Sequence, residues 1–196
     1  MARRRKGKGP LGLSCRCGGF HATLSADGLR AATHVTCQCA DCRAAHLHFH
    51  QPDPAGEGVH VLQTTPDALT IISGADKLAV MRLSPKGLFR WYASCCNTPL
   101  FNTLASPKLP FAGIVADRFD DINALGPVVV RAHIPKQGGG YRHEHYARAG
   151  WGILSRMIAA RLSGRWRHSP FFDIETGEPT GPVTVLTKEA RAALSR

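Results

Sequence analysis

Cys37-Gln38-Cys39-Ala40-Asp41-Cys42 is the stretch on which the reading of this chain turns. Thiolates are soft ligands that hold zinc at about 2.3 Å. A Cys-x-Cys step at a strand end, followed by a third cysteine in the first turn of a helix, can aim three sulfurs at one centre. The positive end of that helix favours the thiolate form. Three protein ligands leave one tetrahedral position open, as catalytic zinc requires, unless a fourth side chain closes a structural site. His46 lies one turn after Cys42, with His48 and His50 beyond it, and each could supply that fourth ligand or a general base.

The other cysteines fall into two further clusters, Cys15-Arg16-Cys17 and Cys95-Cys96, so that none of the 7 stands outside a group. The first ten residues are basic, but Leu11 to Cys15 is far too short for the apolar stretch of a secretory leader. The expectation is therefore a solvated basic tail over residues 1–10 and a cytoplasmic protein. An odd number of thiols in a reducing compartment points to metal binding rather than a disulfide framework. Cys15 and Cys17 need partners, and Cys95-Cys96 is the natural complement. Neighbouring residues on a strand face opposite ways. Both can join one site only if the chain turns sharply at Asn97-Thr98-Pro99; otherwise Cys96 faces the first pair and Cys95 faces the knuckle.

Around these clusters the pattern is β. Short strands are expected in Leu11–Leu24 on either side of Gly18-Gly19, in Arg30–Cys37, Val59–Gln63, Leu69–Ser73, Leu78–Leu83 and Leu88–Ser94, and again in Phe111–Ala116 and Val128–His133. Ala26-Asp27-Gly28 reads as a turn, and Asp41–Phe49 as a short helix with Asp41 as its cap. The glycine run at 136–140 marks a joint. Beyond it Ile153, Leu154, Met157, Ile158 and Leu162 recur at helical spacing, which predicts an amphipathic helix over about 151–162 packed on the sheet. Further helical turns are expected near Lys188–Leu194. The fold class is mainly β, antiparallel, with residues 11–135 forming the zinc domain and 136–196 a C-terminal helical extension.

The net charge of +11 suggests general affinity for anions, but the basic residues are dispersed and only 7% of the chain is aromatic. That argues against a specific nucleic-acid reader. No membrane span is expected either, because the best apolar run, Trp151–Leu162, is short and carries Arg156 and Arg161. His143 and His145 lack the i, i+4 spacing of a helical zinc site and read as a surface loop. Asp120-Asp121 reads as a turn or cap rather than an acid–base couple.

With Cys15-Arg-Cys17-Gly18, the knuckle at 37–42, Tyr92-Ala-Ser-Cys-Cys96-Asn-Thr-Pro-Leu100 and Phe119-Asp-Asp-Ile-Asn-Ala-Leu125-Gly-Pro127 in this order, the chain resembles the glutathione-dependent formaldehyde-activating enzymes and their CENP-V-like relatives. The resemblance covers roughly residues 12–135 and implies a β-tent fold with two zinc positions. One is a structural site from Cys15, Cys17 and the late cluster; the other is a catalytic-type site at Cys37, Cys39 and Cys42. The chain departs from the family at the late pair, where Ala93 occupies one expected cysteine position and Cys95 is added beside Cys96. Ala40 replaces the family's usual serine.

The resemblance implies a carbon–sulfur lyase or synthase acting on an adduct of an aldehyde with glutathione or another small thiol, using one or two Zn2+. The alternative is a non-catalytic zinc scaffold that binds a protein or polyanion partner. An open knuckle favours the first and a knuckle closed by a fourth protein ligand favours the second.

Overall fold

Gly18, at φ +72°, lets the chain double back between β1 (Leu11–Ser14) and β2 (His21–Leu24), which pair antiparallel with Leu11 opposite Leu24. A computed structural model describes residues 9–194. The basic tail expected at the N-terminus lies, for residues 1–8, outside the described residues.

After β2 the chain forms a helix where a turn was expected. Ser25 accepts a hydrogen bond from the Gly28 N–H at 3.1 Å and so caps α1 (Ala26–Ala31). Arg30 therefore belongs to this helix, and β3 is confined to Thr33–Cys37. The knuckle helix α2 (Ala40–His48) follows, then β4 (Val59–Thr64), β5 (Leu69–Ser73), β6 (Leu78–Arg82), β7 (Phe89–Ala93), β8 (Thr98–Thr103), β9 (Ala112–Val115), β10 (Val130–Pro135) and β11 (Tyr141–Glu144). The chain ends in α3 (Tyr146–Leu162), β12 (Val183–Val185) and α4 (Lys188–Ala193).

The protein is mainly β. β1, β2 and β5 make a three-stranded antiparallel sheet, and the other nine strands form a mixed sheet in the order β11-β10-β3-β4-β9-β8-β7-β6-β12. Two of its pairings, β3 with β10 and β6 with β12, are parallel, so the wholly antiparallel expectation is corrected. Long connections make this possible, because each parallel neighbour returns from far along the chain.

One cross-strand row organises the core. Leu62 faces Ile114, Ile114 faces Phe101, Phe101 faces Trp91 and Trp91 faces Val80, across five adjacent strands, and all five side chains are fully buried. The Trp91 Nε1–H donates to Thr103 Oγ1 at 2.9 Å, which satisfies the ring's polar atom. Leu13, Phe20 and Leu24 of the small sheet belong to the same core. So does Phe171, whose ring lies tilted at 5.0 Å from that of Trp91 and 5.1 Å from that of Phe101. The segment read as an extension thus carries a side chain into the centre of the molecule.

α3 runs from Tyr146, five residues earlier than expected. Its small residues Ala149 and Ala160 are the buried ones, and Ala149 packs with Val35, Val130 and Ala132. The large apolar residues Trp151, Leu154, Ile158 and Leu162 face outward. The expected stripe is therefore divided: α3 does pack on the sheet, with Ile153 and Met157 half-buried, while Leu154, Ile158 and Leu162 stay exposed, and the small side chains permit the helix's close approach.

Candidate metal centres

The first centre is assembled by two tight turns. At the end of β1 the Cys15 N–H donates to Phe20 O at 3.1 Å and the Phe20 N–H donates to Cys15 Sγ at 3.3 Å, folding the chain around the sulfur. Between β7 and β8 the Cys96 N–H bonds to Ala93 O at 3.3 Å and Asn97 takes φ +52°. This bend brings Cys95 and Cys96 to the same side as Cys15 and Cys17. Their four ligand atoms lie within 4.8 Å of one another.

The spacings fit a cation. Cys15 and Cys17 sulfurs are 3.6 Å apart, Cys17 and Cys95 3.4 Å, Cys15 and Cys95 3.9 Å, and Cys95 and Cys96 3.8 Å. A tetrahedron with metal–sulfur bonds of about 2.3 Å has edges of about 3.8 Å. These separations are far beyond the roughly 2.05 Å of a disulfide, and all seven cysteines are free. A Cβ at Gly19 would stand 3.2 Å from Cys95 Sγ and 3.4 Å from Cys17 Sγ, so a side chain there would crowd the cluster. Burial works against the Cys96 thiolate, yet hydrogen bonds from Thr98 and Cys17 outweigh it and lower its pKa to about 6. Cys95 moves the other way, to about 12, through desolvation and its three sulfur neighbours. Ala93, at the family's cysteine position, is buried in the main core.

The second centre lies where β3 ends. Cys39, not Asp41, caps α2: its Sγ accepts the Cys42 N–H at 3.4 Å, while Asp41 pairs with Arg191 of α4 at 2.8 Å. Hydrogen bonds from Cys37 and Cys42 hold the Cys39 thiol down to about 2. The same contacts raise Cys42, and Cys37 rises to about 11 with its hydrogen bond to Cys39 as the largest cause.

His133 joins this group, although nothing in the sequence had marked it. β10 runs parallel to β3 with Ala132 beside Cys37. Its pairing with β11 shifts register between Arg131 and Ile134, and His133 there adopts φ +57°. A bulge of this kind re-aims a side chain, and a left-handed non-glycine residue is a place where strain is held by its surroundings. The His133 N–H donates to His143 Nδ1 at 3.1 Å, and the rings of His143 and Tyr141 pack against it edge-on. His133 Nδ1 stands 3.6 Å from Cys37 Sγ, and Cys37, Cys39 and His133 form a set of donors mutually within 4.8 Å. Cys42 borders this set through its contacts with both sulfurs. The position of His133 follows from the parallel partner strand, and a single sequence does not reveal which distant strand will lie beside Cys37.

The remaining candidates fall elsewhere. His46 is buried, its Nε2 has no hydrogen-bond partner, and it lines a cavity of about 620 Å³ with His60, Asp117 and Arg118. His48 rests edge-on against Phe49, and His50 is exposed at φ +52°. His143 lies on β11, which corrects the surface-loop reading to an exposed edge strand, and His145 precedes α3. Asp121 accepts the Asn123 N–H at 2.9 Å as the cap of a short 3-10 turn. A smaller cavity of about 270 Å³ opens beside the second centre, lined by Cys37, Gln38, Arg43 and Gly58.

The sequence profile of DUF6151, described as a family of unknown function, matches residues 9–183. No functionally curated protein matches the chain. Among solved structures, a Rhodobacter sphaeroides protein from a structural-genomics programme is similar with 16% identity and a TM-score of 0.43, covering 62% of this chain and 98% of that one. Likeness at that level carries no argument about function.

Proposed function

The chain belongs to DUF6151, a family of unknown function, and from that footing we propose that it is a two-centre zinc protein of the formaldehyde-activating and CENP-V-like type, with β-tent architecture, acting on an adduct between a small thiol and an aldehyde. The observation that carries this reading is the pairing of one four-sulfur set with a second, Cys/His set that opens onto a cavity. In the first, Cys15, Cys17, Cys95 and Cys96 would tie β1 to the β7–β8 turn as a closed structural centre. In the second, Cys37, Cys39 and His133 would hold the reactive ion, with Cys42 at its border and one position left open. Zinc there supplies Lewis acidity toward a thiol or carbonyl.

The protein's own residues do the rest. Cys37 and Cys39 would meet the ion as thiolates. The net charge of +11 draws an anionic thiol such as glutathione toward the surface. Arg43 is held in place by Asp53 through two contacts of 2.7 and 2.8 Å and forms one wall of the smaller cavity.

One observation favours a second reading. If Cys42 and His133 both coordinate, the tetrahedron is complete and the module is a non-catalytic scaffold for a protein or polyanion partner. Elemental analysis, followed by titration with glutathione and formaldehyde and detection of the hydroxymethyl adduct, separates the two. A folded protein holding two zinc ions that neither binds the thiol nor alters adduct formation would exclude the enzyme and leave the scaffold.

A further inference from the structure

α3 has two faces of opposite character. The inner one is anchored by Ala149, Ala160 and Arg156, whose Nη1 donates to Ala31 O at 2.9 Å and to Thr33 Oγ1 at 3.0 Å. The outer one carries Trp151 at 71% exposure, Leu154 at 50%, Ile158 at 49% and Leu162 at 85%. At about 100° per residue these four positions fall within roughly 80° of arc, forming one continuous stripe along the helix. Arg148 and Arg161 flank the stripe on opposite sides, and the helix contains no Asp or Glu. Tyr141 and Tyr146, both half exposed, pack around His133 near the helix's first turn, off the stripe.

We infer that this face seats on an anionic lipid surface, with α3 lying in the interface plane. Large apolar side chains framed by arginines, with the Trp151 ring among them, suit the boundary between headgroups and acyl chains. No described helix is long and apolar enough to cross a membrane, so the contact is peripheral. A second copy of this chain would set Arg148 and Arg161 against like charges with no acid on α3 to offset them. Negatively charged headgroups complement both arginines at once.

Co-sedimentation with phosphatidylcholine vesicles, with and without phosphatidylserine, tests the inference. The full chain is expected to bind the serine-containing vesicles roughly tenfold or more tightly, with the difference falling as salt rises. Leu154→Ser combined with Ile158→Ser should abolish most of the binding, and Arg148→Gln with Arg161→Gln should weaken it, while zinc content and circular dichroism stay those of the parent. Brominated lipid should quench the parent's tryptophan fluorescence but not that of Trp151→Phe. Three results would each overturn the inference: no binding by the parent, unchanged binding after the Leu154 and Ile158 changes, or a lipid-free dimer that those changes dissolve.

Discussion

His133 Nδ1 lies 3.6 Å from Cys37 Sγ although ninety-six residues separate the two. The contact depends on parallel pairing of β10 with β3 and on a backbone conformation that L residues seldom adopt. If the imidazole is a ligand, His133→Asn, which tolerates positive φ, should weaken Co2+ binding at the second centre by roughly tenfold or more, or about 1.4 kcal/mol. The cobalt absorption bands should shift at the same time. Unchanged affinity and spectrum would remove His133 from the ligand set.

The two centres should separate under mutation. Cys39→Ser removes one sulfur of the second set, and one zinc per chain should remain. Cys15→Ser strikes a buried sulfur that also receives the Phe20 N–H. Losing that centre should cost about 3 kcal/mol, which for a domain of this size lowers Tm by roughly 6–12 °C. Equal loss of zinc and of Tm in both variants would mean that the sets are not independent.

Local signals reached the sequence reader and distant ones did not. Strands bounded by turn residues, such as β5 and β6, were visible as short β-rich runs. β8 was hidden because Asn97-Thr98-Pro99 reads as a turn; the turn is there, but the strand begins at Thr98, and Pro99 is accommodated where the pairing with β7 shifts register. α1 was hidden by Gly28, which hydrogen-bonds to the Ser25 cap. The three cysteine clusters are legible as candidate metal ligands, and Asn97 marks the bend that aligns Cys95 with Cys96. The nitrogen donor was beyond reach, since its position follows from strand order and a bulge.

The buried row through Trp91 makes a stability prediction. Trp91→Ala would leave a cavity bordered by Phe101, Phe171 and Val80 and strand the Thr103 hydroxyl without its donor. A loss of about 3–5 kcal/mol is expected by denaturant titration. Trp91→Phe, which keeps much of the volume, should cost distinctly less. Equal losses would show that the Thr103 bond, rather than the packing, dominates.

His46 should impose a pH dependence on folding. Burial is the largest influence on it and lowers its pKa below the ordinary 6.5; Asp117 opposes this, while Arg118 and Arg90 reinforce it. In the unfolded chain the imidazole takes up a proton as pH drops through 6.5, whereas in the folded protein it resists. The unfolded state then binds more protons, and stability falls as pH decreases from about 6.5 toward the lowered folded value. The slope from this one residue cannot exceed about 1.4 kcal/mol per pH unit. His46→Gln keeps a polar group beside the larger cavity without a titration, so its unfolding free energy should depend less steeply on pH across that window, with the two curves parallel above it. Parallel curves throughout would remove His46 as the source of the acid sensitivity.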